Sequence, residues 1–147
     1  MYALSVWIHI VAAAAWVGSM IFFAAVAVPA LRSEAMRDVA PKLIQLLGKR
    51  YRVLGWISLG LLVTTGVTNL VLRGIGWTTL SDGAFWSTTF GRALMHKLGL
   101  VAIVLIATIA HEMTAMKTRK AASWLGRGVL VASLAILHYA TALVRGF

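Results

Sequence analysis

Four histidines, His9, His96, His111 and His138, lie in or beside long apolar runs of a chain that contains no cysteine. An imidazole carried into such a run has to be paired, hydrated or functional, because an unpartnered ionisable group is costly there. Without thiolates, a metal would be held by His, Met, carboxylate or backbone donors. Imidazole together with thioether suits copper, and two neutral imidazoles suit haem iron from opposite sides. Met20 lies in the first apolar run, Met95 precedes His96, and Met113 and Met116 flank the His111-Glu112 pair. One reading is therefore a copper path, with His9, His96 and His138 as an outer site and Met20, His111 and Met113 leading inward. The other is haem b on two of the three outer histidines, with Arg92, Lys97 or Arg145 meeting its propionates. A third reading makes all four histidines structural, in an accessory subunit of a membrane complex.

The elements that must position these residues are readable from hydropathy. The chain has 147 residues, 61% of them hydrophobic and 12% charged. So much apolar surface cannot be hidden in one small soluble core. Four runs, residues 4–31, 53–72, 93–116 and 128–144, are each long enough to approach or exceed the thickness of a bilayer core. The expected fold is all-α and integral to the membrane: a single domain over 1–147, arranged as a four-transmembrane-helix up-down bundle. The first run starts without basic residues and exceeds the apolar core of a signal peptide, so it is expected to be retained.

The net charge of +10 comes from 14 Lys and Arg against 4 acidic residues. In a soluble chain that excess would suggest nucleic acid; here it sits in the connections, and no nucleic-acid partner is expected. Ten basic residues fall between runs one and two or three and four. The other side holds Arg73, Arg92, Lys97 and Arg145. The positive-inside rule then places both termini outside the cytoplasm. In this topology His9, His96 and His138 share an outer depth. His111, fifteen residues after His96, lies ~22 Å deeper.

Local signals refine the picture. Ser33 before Glu34, followed by Leu43, Ile44, Leu46 and Leu47 and then Gly48, predicts a short cytoplasmic interfacial helix between helices one and two, with Pro41 dividing it. Trp16 and Met20 fall within ~20° of His9 on a helical wheel, and Ser58, Thr65 and Asn69 form a polar stripe on helix two, so both faces are expected to point inward. Gly99, three residues after His96, offers a close approach to a neighbour or a flat ligand. Residues 73–92 carry Trp77, Phe85, Trp86 and Phe90, the make-up of an interfacial aromatic belt. No GxSxG, HExxH, P-loop or dinucleotide pattern occurs, so no catalytic residue is assigned. Binding or transport is expected ahead of catalysis, with an oxidoreductase as the enzymatic alternative.

Three segments carry a resemblance. WIHIVAAAAWVGSMIFFAAVAVPAL, residues 7–31, resembles the opening helix of the copper resistance protein D (CopD) family, with its histidine, Trp-x-Gly and helix-ending proline. RYRVLGWISLGLLVTTGVTNL, residues 50–70, is similar to that family's second helix with its Thr-Gly, and FGRALMHKLGLV, residues 90–101, to its Gly-Arg-x-Leu and Lys-Leu pattern. The resemblance implies copper handling or uptake at the bacterial inner membrane, with His9 as a metal residue and Gly91, Arg92 and Lys97 as a signature. A metallochaperone or a membrane complex is then a candidate partner besides the lipid bilayer and a second copy of the chain. A weaker resemblance, to HemJ-type protoporphyrinogen oxidases, gives His9, Lys97 and His111 loose counterparts and implies haem b or porphyrinogen oxidation.

Overall fold

The computed structural model describes residues 1–115 and 119–145, with side chains described for 1–114 and 124–140. All regular structure among them is helical, and the chain divides into two compact units, Met1–Gly76 and Trp77–Phe147.

The first unit is an antiparallel hairpin. Helix α1 (Tyr2–Phe22) continues through a π-helical turn, Phe23–Ala27, into α2 (Val28–Leu31), giving one apolar helix of 30 residues. Pro29 explains the change of register. It has no N–H for the carbonyl one turn earlier, and a local i→i+5 pattern just before it absorbs that loss. A 3-10 turn, Glu34–Met36, leads to α3 (Ala40–Leu72). Four contacts fix the antiparallel register: Tyr2 with Arg73, His9 with Thr65, Trp16 with Gly55, and Phe23 with Tyr51. Gly74, at φ +77°, closes α3 with paired bonds from Ile75 N–H to the Leu70 carbonyl and from Gly74 N–H to the Val71 carbonyl. That is a left-handed C-terminal cap, which favours glycine.

The separate interfacial helix expected before the second run is not formed. α3 begins at Ala40 and passes through Gly48 without a break into the apolar segment. Pro41 occupies its first turn, where a missing N–H removes no helical bond. Gly48 costs a helix interior only about 1 kcal/mol, too little to stop a 33-residue helix. Ser33 does not cap the turn after it; its hydroxyl donates back to the Ala30 carbonyl at 2.8 Å.

In the second unit α4 (Trp77–Ser81) and α5 (Gly83–Ser87) precede α6 (Thr89–Ala115) and α7 (Arg119–Arg145). Asp82 caps α5 by accepting from Ala84 N–H at 2.9 Å. Thr88, in extended backbone, starts α6 by accepting from Gly91 N–H at 3.0 Å, four residues ahead of the apolar run. Helices α6 and α7 form the second antiparallel pair, since His96 meets Tyr139 while His111 meets Gly126.

Among the described residues three helices, Tyr2–Leu31, Ala40–Leu72 and Thr89–Thr114, are long and apolar enough to cross a membrane, and the part of α7 with described side chains, Trp124–Ala140, is apolar as well. Burial follows the same logic. The buried seams are narrow, with Ala12, Trp16, Val17 and Leu59 in one unit and Ala93, Leu94, Val104 and Val129 in the other. Large apolar side chains such as Trp7 (62% exposed) and Ile106 (67%) point outward. An apolar exterior around helices of this length is what a lipid environment rewards.

Candidate functional site

His9 is seated by the helix opposite. Its Nδ1 lies 2.7 Å from Thr65 Oγ1. The Thr65 hydroxyl is 2.5 Å from the Leu61 carbonyl one turn earlier, and that oxygen can only accept. Thr65 therefore spends its proton on the backbone and must accept from the ring. In neutral His9 the proton sits on Nδ1 and the lone pair on Nε2. Beside Thr65, Gly66 leaves the ring its place, since a Cβ there would stand 3.6 Å from His9 Cε1. Two turns deeper the same device recurs: Trp16, 6% exposed, packs over Gly55, whose added Cβ would be 3.3 Å from Trp16 Cζ3.

The inward faces expected on both helices are found. Trp16, Ser58 and Thr65 are buried, while His9, Met20 and Asn69 are half-buried. Ser5, one turn before His9, was not signalled by composition, although its i, i+4 spacing places it on the same face. Its Oγ and the Asn69 Oδ1 are both buried without a hydrogen-bond partner among the described residues.

In the second unit one tyrosine sits against two histidines. His96 on α6 stacks on Tyr139 of α7, ring centres 5.5 Å apart and planes 17° apart. His138 meets the same ring edge-on, at 5.9 Å and 78°. Both imidazoles are exposed on the hairpin's surface, as is Met95. Tyr139 was not singled out in the sequence, where its only signal is adjacency to His138. His111 is half-buried against Gly126, where an added Cβ would lie 3.8 Å from its Nε2. It is at the other end of α6 from His96, as their spacing requires.

Among the remaining candidates, Met113 is exposed, Arg92 exposed and Lys97 half-buried at the start of α6. Met116 and the side chain of Arg145 lie outside the described residues. Gly99 makes no close approach, with nothing within 4 Å of an added Cβ; the tightest glycine is Gly91, whose Cβ would meet the Phe85 carbonyl oxygen at 2.1 Å. The close approach thus belongs to the α5–α6 corner and not to the turn below His96. Among the described residues no group of three or more His, Asp or Glu side chains is gathered that could hold a metal ion. His9 belongs to the first unit, and His96 and His138 to the second.

A metal-ligating imidazole is normally oriented by a hydrogen bond from its other ring nitrogen. Thr65 gives His9 that support.

Hairpins of long apolar helix with imidazoles seated on the partner helix give the chain the make-up of a helical membrane protein. Its residues 11–123 match the family described as Domain of unknown function (DUF4149), and the chain belongs to that family. A relative from Aquifex aeolicus (strain VF5), itself described as an uncharacterized protein, is 30% identical over 156 residues, spanning 100% of this chain and 98% of the relative. No solved structure matches the chain.

Proposed function

We propose that this chain is a bacterial inner-membrane protein that handles copper through imidazole donors, crossing the bilayer four times with both termini on the periplasmic side. The observation that carries the reading is the Thr65–His9 hydrogen bond at 2.7 Å, which turns the lone pair of an intramembrane imidazole to Nε2. The resemblance to the CopD family supports it, because the parts that look alike meet: His9 of the first segment rests on Thr65-Gly66 of the second. His96 and His138, both exposed and flanking Tyr139, are the capture donors of the second unit. Copper suits this set, since thioether beside imidazole favours a soft ion and the lack of clustered carboxylates disfavours calcium and magnesium. The fourth crossing is α7, whose 27 residues span ~40 Å. The asymmetry of basic residues, ten against four, gives the orientation.

The test is metal analysis and an absorption spectrum on the same purified sample. The parent should retain copper, and the His9→Ala/His138→Ala variant should lose it. Copper kept by that double variant overturns the proposal. A Soret band overturns it in favour of haem b, with Arg92 and Lys97 as propionate partners. Neither copper nor haem, after supplementation with each, overturns it in favour of a packing subunit.

A further inference from the structure

The seam between α1 and α3 carries polar side chains at three successive levels. At the exposed end Arg73 Nε–H donates to the Tyr2 hydroxyl at 2.6 Å. Innermost is the His9–Thr65 pair at 2.7 Å. Between them lies a level of a different kind. His9 opposes Thr65 in an antiparallel pair, so one turn back along α1 and one turn on along α3 brings Ser5 level with Asn69. Here Ser5 Oγ and Asn69 Oδ1 are both buried, and neither has a hydrogen-bond partner among the described residues.

An unpaired buried polar atom costs ~1–3 kcal/mol, and two at one level would be a poor way to join helices. Buried polar groups left unpaired by protein are normally satisfied by ordered water, which needs two to four polar partners. Beyond His9 the seam changes character. Ala12, Trp16 and Leu59 are buried there beside one buried hydroxyl, Ser58, and Trp16 closes over Gly55. The polar track therefore has an open end at Tyr2 and Arg73, both exposed, and a closed end at Trp16.

We propose that Ser5 and Asn69 bind internal water, and that this level is the middle of a short hydrated inlet from the Tyr2–Arg73 end to the His9 ring. From Tyr2 to His9 is seven residues along α1, about 10 Å. The ligand is water, and the same route admits small hydrophilic solutes to His9. The inlet goes beyond the copper reading and stands or falls without it, whatever His9 binds.

The chain has no cysteine, so single-cysteine variants report cleanly. S5C, N69C, A12C and L59C are each treated in detergent micelles with 2-aminoethyl methanethiosulfonate, whose sulfenyl sulfur is attacked by a hydrated thiolate, forming the mixed disulfide and releasing methanesulfinate. Positions 5 and 69 should react on the order of 100-fold faster than 12 and 59, because burial in apolar surroundings suppresses the thiolate. A G66C variant reads the inner end, since its Cβ lies 3.6 Å from His9 Cε1. Adding N69L to G66C should slow its modification at least tenfold. Equal slow rates at all four positions overturn the proposal, showing that Ser5 and Asn69 satisfy each other in a dry seam. Equal fast rates overturn it as well, because the inlet then has no closed end. Unchanged G66C modification after N69L does the same. Helical content matching the parent qualifies a variant for comparison, and Ser→Cys, being near-isosteric, meets that condition most easily.

Discussion

Removing the Thr65 hydroxyl tests the step on which the site depends. Thr65→Val keeps the shape of the side chain and deletes the atom that accepts from His9 Nδ1 at 2.7 Å. The bond itself contributes about 1 kcal/mol net, but leaving a half-buried N–H unpaired costs ~1–3 kcal/mol. The ring can avoid that cost by moving its proton to Nε2 or by swinging off Gly66, and either response removes the lone pair from the position that Thr65 assigns it. For ligating histidines, losing the partner of the second ring nitrogen lowers metal affinity roughly 10- to 100-fold. Thr65→Ser retains the hydroxyl and should retain affinity within a few-fold. The assay is ¹⁵N NMR of metal-free, histidine-labelled protein, with the His9 signal assigned by His9→Gln, followed by copper titration. The parent and Thr65→Ser should show the Nδ1–H tautomer at His9, and Thr65→Val should show less of it and bind copper more weakly. If Thr65→Val keeps both the tautomer and the affinity, the argument from the Leu61 carbonyl through Thr65 to Nε2 is refuted.

Two further outcomes follow from the glycines. Gly91→Ala gains ~1 kcal/mol of helix propensity but sets a Cβ 2.1 Å from the Phe85 carbonyl oxygen and 2.9 Å from Trp86 Cα, both backbone atoms that cannot turn aside. Its melting temperature in detergent should fall, whereas Gly99→Ala, with nothing within 4 Å, should melt at or above the parent; equal melting of the two variants would sink the account of the α5–α6 corner. Gly55→Leu should destabilise the first hairpin by ~1–3 kcal/mol, the usual cost of overpacking, because an added Cβ already stands 3.3 Å from Trp16. Thermal melts of Gly55→Leu and Gly60→Leu, the latter at an open position, separate that contact from the general effect of a larger side chain.

What the sequence made legible, and what it hid, divides along the range of the interactions. The long helices and the inward face of α1 were readable because hydropathy and a ~100° turn per residue are local properties, and His9, Trp16 and Met20 obey them. Helix ends were less legible. Thr88 begins α6 through one hydrogen bond to Gly91, and Pro41 sits harmlessly in a first turn where its position in sequence suggested a break. Hidden altogether was the register of one helix against another, which no single-helix pattern contains. That register decides that His9 meets Thr65-Gly66, that Trp16 meets Gly55 and that His111 meets Gly126. In each case a ring from one helix lies on a glycine of its antiparallel partner, so the glycines act together with the rings as the code for register. A glycine one helical turn from a histidine on the same helix carries no such information, which is why Gly99 stands open while Gly66, 57 positions from His9, does not. Reading the site from sequence thus requires pairing rings and glycines between helices: in the first hairpin His9 with Gly66 and Trp16 with Gly55 step in opposite directions along the two helices, as an antiparallel pair demands. Given the Trp16–Gly55 pair, the antiparallel register sets His9 on α1 within about one turn of Thr65 on α3, and the Thr65 hydroxyl there is what converts a packing position into an oriented imidazole.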